Sequence, residues 1–487
     1  MVKTSLSKIP ALSAVCVAVL LAGCSMAPKY ERPDAPVATD WPGLRLARGL
    51  TGAEPAASTA VQGATAAAEI EWQSFFTDPK LRQLIAAALK NNRDLRIAVL
   101  NIEQARAQFQ IRRADQFPTV GVGATGMRQP NGSGATTSVY TAGLATTSYE
   151  LDFFGRVASL KDAALSQYLA TEEGRKNTQI GLIASVANAY LSLLADEELL
   201  AITQQTLLTR EDSFKLSQLR FDNGVTSELD LRQAESLTEA ARISLAQLQR
   251  QRAQDENLLT LLLGQPLTGE LAVALPTGQG LADASVMVDV PAGLPSDLLI
   301  RRPDIRQAEQ QLLAANANIG AARAAFFPKI SLTASAGSAS NHLSGLFKSG
   351  TYGWTLAPQL FLPLFDAGRN RAGLDSAKAD RDIAVAQYEK AIQTAFREVA
   401  DALAGRATLG DQLRAQRAQT TAEATRFKLS DLRYQNGIAN QLDLLDAQRS
   451  LFAAQQAVVQ TRLQQLQNQV TLYKTLGGGW KEPAVAP

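Results

Sequence analysis

Asp443 and Asp446 lie three residues apart, directly behind Leu442 and just past an Asn436-Gly437 turn. No nucleophile-base constellation and no metal-ligand cluster accompanies them. The chain has one histidine, His342, in a polar loop stretch, which argues against a multi-histidine metal site or a Ser-His-Asp arrangement within one chain. The methionines that remain after leader removal, Met26, Met127 and Met287, are too scattered to relay a soft metal. Gly121-x-Gly123-x-x-Gly126 spells a dinucleotide fingerprint, but it lies inside a strand pattern and opens no helix. Its glycines are expected to keep one strand face small. These residues predict a chain that is not an enzyme, with no catalytic residue, no metal and no non-covalent cofactor.

The aspartates belong to a segment that occurs twice. Residues 427–451 read as a helix, a sharp turn and a second helix, and residues 214–237 repeat the pattern. Eight of the first eleven residues match at an offset of 213. A repeated turn with carboxylates at its tip suggests a closure made of many turns.

The chain of 487 residues has room for two or three domains or one large repeat. Lys3 and Lys8, then the apolar run 11–21, form a leader too short to span a bilayer as a permanent helix. It ends in Leu21-Ala22-Gly23-Cys24, which resembles a bacterial lipobox. The implied chemistry is a diacylglycerol on the Cys24 sulfur, cleavage before Cys24 and an N-acyl chain on the new amine. Several acyl chains anchor firmly, at about 0.8 kcal/mol per buried CH2. Ser25, in place of an aspartate, favours the outer membrane. Without Lys3 and Lys8 the chain carries 46 basic and 46 acidic residues, a balance that gives no support to nucleic-acid binding. Only Cys16 and Cys24 are present, so processing leaves no intrachain disulfide.

The order of elements follows from punctuation. Residues 1–23 are the signal peptide, and 24–78, with five prolines, an extended lipidated tether. The first repeat, 79–264, starts at Asp78-Pro79, a helix cap and first turn. A helical pattern to about 115 gives way at Phe117-Pro118 to alternation through Val120, Val122 and Ala124. A polar loop over 128–138 and a second strand over 139–153 follow. A helix then runs without proline to about 222; some 65 residues would reach about 100 Å, which points to a coiled coil or helical barrel. Asn223-Gly224 makes a turn, and Gly264 ends the next helix. The 265–300 linker is rich in proline and glycine. The second repeat, 301–479, restates the series: Phe327-Pro328, alternation through Ile330, Leu332 and Ala334, a long helix over 369–435, and a last helix to 476. Leu445, Phe452, Val459, Leu466 and Tyr473 recur every seven residues, as in a coiled-coil seam. Residues 480–487 form a tail.

Four strands with one apolar face and one small or polar face fit a membrane barrel with a wet interior. About eight strands are the practical minimum for closure, and lipid tolerates no open edge, so strands must be shared between chains. Three chains supply twelve strands and a pseudo-sixfold ring of helix pairs. Phe117, Phe153, Phe154, Phe326, Phe327, Phe361 and Phe365 at one end of the strands, with Tyr140, Tyr352 and Trp354 at the other, resemble interfacial girdles.

The LAGCSMAPKYERP leader junction, SYELDFFGRV, FPTVGVGATG with its copy FPKISLTASAG, VPAGLPSDLLIRRPDI and DLLDAQRSLF resemble the bacterial outer-membrane efflux ducts of the TolC and OprM type, NodT-like lipoproteins included. The resemblance covers essentially the whole chain and is strongest to OprM-like members. It implies a mixed α/β membrane protein: a homotrimer with a 12-stranded β-barrel, four strands per chain, in outer-membrane lipid, continued by a long periplasmic α-helical barrel. It implies a passive drug or solute duct working with a periplasmic adaptor and an inner-membrane RND pump. The alternative is the outer-membrane outlet of an ABC-type (type I) secretion or metal-efflux system. Leu442 and Asp446 match the constriction positions of OprM-like members, and Asp443 with Asp446 matches the paired aspartate rings of TolC-like members. A gate link in the family maps onto Tyr434 and Asp230, while its partnering arginine falls at Ala439 and is missing. In a trimer six carboxylates would ring a narrow axis, raise one another's pKa and select cations. The other reading is that Asp443 and Asp446 cap the last helix or form solvated ion pairs.

Overall fold

The computed structural model describes residues 26–38, 69–130, 132, 134–276, 278–281, 287–288 and 301–481. The leader, Cys24, the middle of the tether, most of the linker after 281 and the end of the tail lie outside the described residues. The elements are α1 (Trp72–Phe75), α2 (Pro79–Asn91), α3 (Arg93–Ala114), β1 (Gly121–Pro130), β2 (Thr136–Leu151), α4 (Arg156–Asp222), α5 (Glu228–Leu263), α6 (Glu270–Val273), α7 (Pro303–Ala324), β3 (Lys329–Ser340), β4 (Tyr352–Phe361), α8 (Arg369–Gln435) and α9 (Gln441–Thr475). The long helices α4 and α8 are 67 residues each, so the repeat keeps its length to the residue. The chain clusters into two compact units, one holding the strands and one holding the helical turns.

The strand unit contains one antiparallel sheet in the order β1-β2-β3-β4. The strands begin and end differently from the alternation alone: β1 extends to Pro130 and β2 starts at Thr136, so the loop between them is shorter than the expected 128–138. The register sorts the side chains by face. Val122, Leu144, Ala336 and Trp354 form one cross-strand row, and Leu151, Ile330 and Leu360 another on the same face. Val122 is 85 % exposed and Trp354 74 %, so this apolar face is uncovered within the chain. The opposite face carries Gly121, Ala145, Ser335 and Thr355, then Gly123, Gly143, Gly337 and Gly353 in one row. The outer two glycines of that row have open space around them. The inner two do not: a Cβ on Gly143 would strike the Ala336 carbonyl, and one on Gly337 the Ala142 carbonyl. A bulge between Thr146 and Tyr149 shifts the β2–β3 register and turns Ser148 to a φ of 53°. Phe117, Phe361 and Phe365 are exposed at the helix-side ends, and Phe154 stacks on Phe327 at 4.8 Å.

Residues 26–35 of the same unit lie along α7 without helix of their own. Arg323 donates to the Met26 carbonyl at 3.2 Å and Asn316 to the Pro28 carbonyl at 2.8 Å. Glu309 accepts from the Tyr30 hydroxyl at 3.1 Å and takes both arms of the Arg32 guanidinium at 2.8 and 2.7 Å. Glu309, Asn316 and Arg323 are seven residues apart, so one face of α7 receives the whole segment.

In the helical unit, Asp78 caps α2 by accepting from the Lys80 amide. The helical pattern expected to run unbroken to about 115 breaks at Asn92. The Asn92 side chain accepts from the Leu95 amide and donates to the Leu262 carbonyl, both at 2.9 Å, so it starts a new helix and ties it to the end of α5. Gly264 ends α5 with φ 67°, where a Cβ would strike the Asn91 carbonyl. Residues 69–78, expected as tether, are folded: Phe75 and Phe76 are fully buried, and Phe75 stacks on Tyr473 at 3.9 Å. All five residues of the seven-residue seam on α9 are buried. Among the described residues one helix, α4, contains a stretch apolar enough to cross a membrane, but 72 % of that stretch is buried within the chain.

Candidate functional site

Both helix-turn-helix tips are built by the same local rules. Gly224 and Gly437 adopt φ of 71° and 72°, a left-handed conformation that a glycine takes without strain. The preceding asparagines close the helix ends: Asn223 donates to the Leu219 carbonyl at 2.6 Å and Asn436 to that of Leu432 at 2.7 Å. Val225 and Ile438 amides reach back to the Arg220 and Arg433 carbonyls at 2.8 and 2.9 Å. Leu229 and Leu442 occupy equivalent places and are both exposed, at 67 % and 54 %.

The tips then diverge at the caps. Ser227 caps α5 by accepting from the Asp230 amide at 3.2 Å, and the Asp230 carboxylate answers by accepting from the Ser227 amide. The hydroxyls of Ser227 and Thr226 donate to the same carboxylate at 2.7 and 2.9 Å and hold its pKa below the usual range. In the second tip Thr226 is replaced by Ala439 and Ser227 by Asn440. Asn440 still accepts from the Asp443 amide at 2.9 Å, but both donor hydroxyls are gone. Asp443 is therefore exposed with a carboxylate that its own cap does not hold.

Asp446 is held instead by arginines. Arg426 on α8 and Arg449 one turn further along α9 both pair with it. Their hydrogen bonds, that of Arg426 first, lower its pKa. Within one chain the flanking guanidiniums set the Asp446 pKa; the expectation that six carboxylates raise one another's pKa concerns three chains around one axis. Arg449 lies at i+3 from Asp446 and Arg426 faces it across the turn, so the pairing joins α8 to α9.

Tyr434 and Asp230, the mapped link residues, are not bonded to each other in the chain. The Tyr434 hydroxyl approaches Gln441 Oε1 at 3.5 Å, and Gln441 Nε2 donates to Ser217 Oγ at 2.8 Å and to the Asp230 carbonyl at 3.2 Å. The Asp230 side chain is turned into its own cap. Arg220 lies over the Tyr434 ring at 4.7 Å. One heptad further, Gln448 donates to Ser213 Oγ at 3.1 Å. Gln441 and Gln448, seven apart on α9, thus clamp Ser217 and Ser213, four apart on α4. Sequence reasoning missed this clamp; its signal was two glutamines on the seam side of α9 opposite two serines at helical spacing. A cavity of about 280 Å³ opens between α4, α8 and α9 beside Ser217, Tyr434 and Gln441. Among the described residues no group of three or more His, Cys, Asp or Glu is placed to hold a metal ion.

Comparison with known proteins places this geometry. The outer membrane efflux protein family matches residues 84–265 and 294–478, the two repeats. The chain is 50 % identical over 478 residues to the antibiotic efflux pump outer membrane protein ArpC of Pseudomonas putida, covering 97 % of this chain and 96 % of that protein. It is equally similar, over the same shares, to the toluene efflux pump outer membrane protein TtgC of Pseudomonas putida. The open-state crystal structure of the MtrE outer membrane channel of Neisseria gonorrhoeae superposes with a TM-score of 0.81 at 40 % identity, covering 94 % of this chain and 99 % of that one.

Proposed function

The chain belongs to the outer membrane efflux protein family, and on that premise we propose that three copies form one duct, gated at the tips of α8 and α9, that serves a periplasmic adaptor and an inner-membrane RND pump. It is an outer-membrane efflux channel rather than an enzyme. The observation that carries the trimer is the sheet: four strands whose outer members, β1 and β4, each pair on one side only among the described residues. Its apolar face suits lipid and its Gly, Ser and Thr face suits water. Sharing those edges among three copies satisfies the backbone groups that lipid would leave without partners.

The gate reading rests on Leu442, Asp443 and Asp446. Leu442 supplies an exposed apolar ring, Asp443 a negative charge with no ion pair among the described residues, and Asp446 the ion-paired brace between α8 and α9. Tyr434 and Asp230 join the reading through Gln441, which touches the hydroxyl of one and the backbone of the other. Cys24 as the lipid anchor is supported by the segment along α7. The chain climbs from Glu309 at Arg32 to Arg323 at Met26, six residues before β3 begins, so Cys24 is two residues from a point close to the membrane strands.

The test is lipid reconstitution of the purified protein with cross-linking in parallel. Trimers with a small, cation-selective and mostly closed conductance support the duct. Monomers without conductance overturn it. Mass spectrometry of the mature N-terminus tests the lipid: an acylated Cys24 is expected, and an unmodified one removes the anchor.

A further inference from the structure

Away from the tip contacts, the buried charge of Arg210 meets no opposite charge among the described residues. Arg210 on α4 is 4 % exposed. Its Nη1 donates to the Leu237 carbonyl at 2.8 Å, and its guanidinium lies 5.1 Å from the centre of the Phe452 ring. Its Nε has no partner, and no carboxylate pairs with it among the described residues. The charge it does sense is that of Arg449, of the same sign. Arginine does not shed its proton in proteins, so a guanidinium buried this way is destabilising until an anion meets it.

Arg210 lines a cavity of about 460 Å³ between α4, α8 and α9. Ile202, Leu451 and the rings of Phe427 and Phe452 give it apolar walls. Gln448 also lines it, with an Oε1 that has no partner. No acidic residue is among its lining. The volume falls within the range of small-molecule sites. The free Nε lies on the edge of the guanidinium that a carboxylate engages through two parallel hydrogen bonds.

We propose that this cavity binds small amphipathic carboxylates, with the carboxylate on Arg210 and an aromatic or branched body between Phe427 and Phe452. One negative charge answers the single cation among the cavity's lining residues, and the apolar part of the wall disfavours ions that are charged all round, such as phosphate. The clamp residue Gln448 lines the same site, so an occupant touches the side chain that ties α9 to Ser213. The site is built within one chain and does not rest on the channel reading.

The probe is 4-fluorobenzoate, followed by fluorine NMR with the full-length protein in detergent and protein-free micelles as the blank. Saturable binding is expected, with the neutral 4-fluorobenzamide at least about tenfold weaker, the factor that one charge-assisted hydrogen bond of roughly 1.4 kcal/mol supplies. Arg210→Met should abolish binding and Arg210→Lys, which keeps the charge and loses the fork, should weaken it. Because Arg210→Met removes an unpaired buried cation, its unliganded melting temperature should not fall below that of the parent. Thr206→Leu, which narrows the cavity and leaves the charge alone, should also weaken binding. Equal binding by Arg210→Met, equal binding of the amide, or no saturable binding by the parent would each overturn the proposal. The last result is the one expected if a second copy of the chain already supplies the carboxylate.

Discussion

At 223–236 and again at 436–449 the chain makes one turn with two sets of side chains. The backbones agree in their left-handed glycines, their asparagine bonds and their exposed leucines. The charges do not. Ser213, Gln233 and Ser236 of the first repeat become Arg426, Asp446 and Arg449 of the second. Thr226 and Ser227, which hold Asp230 in its cap, become Ala439 and Asn440, which leave Asp443 free. The turn geometry is common to both, while an acid held between two arginines sits at the second tip. The asymmetry extends along the helices. Asp196 and Asp255 face each other in the first repeat, where the second has Leu409 and Asn468. The first repeat therefore holds a buried acid, Asp196, against the half-buried Asp255, a pair that the second repeat lacks.

The two halves meet where they cannot differ, at Gly143 opposite Gly337. The largest effect is expected there. Gly143→Ala or Gly337→Ala drives a methyl into the facing carbonyl and should cost about 1–3 kcal/mol or more, read as loss of heat-resistant trimers on gels. Gly123→Ala and Gly353→Ala, in the same row with open space, should leave the trimers intact. Next in size is the acid pair. Burial first, then the Asp255 charge, raises the Asp196 pKa to about 7. An ordinary aspartate ionises near 3.9, so the folded chain holds a proton that the unfolded chain has lost, and stability falls as pH rises from about 4 to about 7. Asp196→Asn should flatten that slope in thermal melts and stabilise the protein at pH 8; Leu409→Ala in the other repeat should leave the slope unchanged.

The clamp comes third. Gln441→Leu removes buried hydrogen bonds to Ser217 and the Asp230 carbonyl and should cost about 1–2 kcal/mol, with more frequent opening in single-channel records. The smallest effect comes from exchanging the caps. Ala439→Thr with Asn440→Ser transplants the first cap onto the second tip. It should draw the Asp443 carboxylate into its own helix start and lower the cation preference of the pore, measured as a shift in reversal potential. An unchanged reversal potential would mean that Asp443 does not face the pore.

Much of this was readable because it is local. Asn-Gly pairs, Gly264 and the Asp78-Pro79 cap fix where helices begin and end within a few residues of themselves. The seven-residue seam marks the buried face of α9 for the same reason. What escaped depends on partners far along the chain. Gly123 was readable as part of a small strand face, but Gly353 has no motif of its own; the glycine row appears only when β2 and β3, separated by α4, α5, α6 and α7, are laid side by side. The Asn92 break needed the Leu262 carbonyl, 170 residues away. Glu309, Asn316 and Arg323 looked like an ordinary polar helix face until residues 26–32 lay on it. Arg449 was one turn from Asp446 and could have been read as its partner, but Arg426 is brought to it only by the closing of the turn.

The second tip, and not the first, is expected to set the closed state. Single-channel recording of Asp446→Ala beside Gln233→Ala, the same position in the other repeat, tests it most directly. Asp446→Ala, by releasing Arg426 and Arg449, should raise open probability several-fold and shift selectivity towards anions, while Gln233→Ala should stay mostly closed and cation-selective. Equal behaviour of the two variants would contradict it.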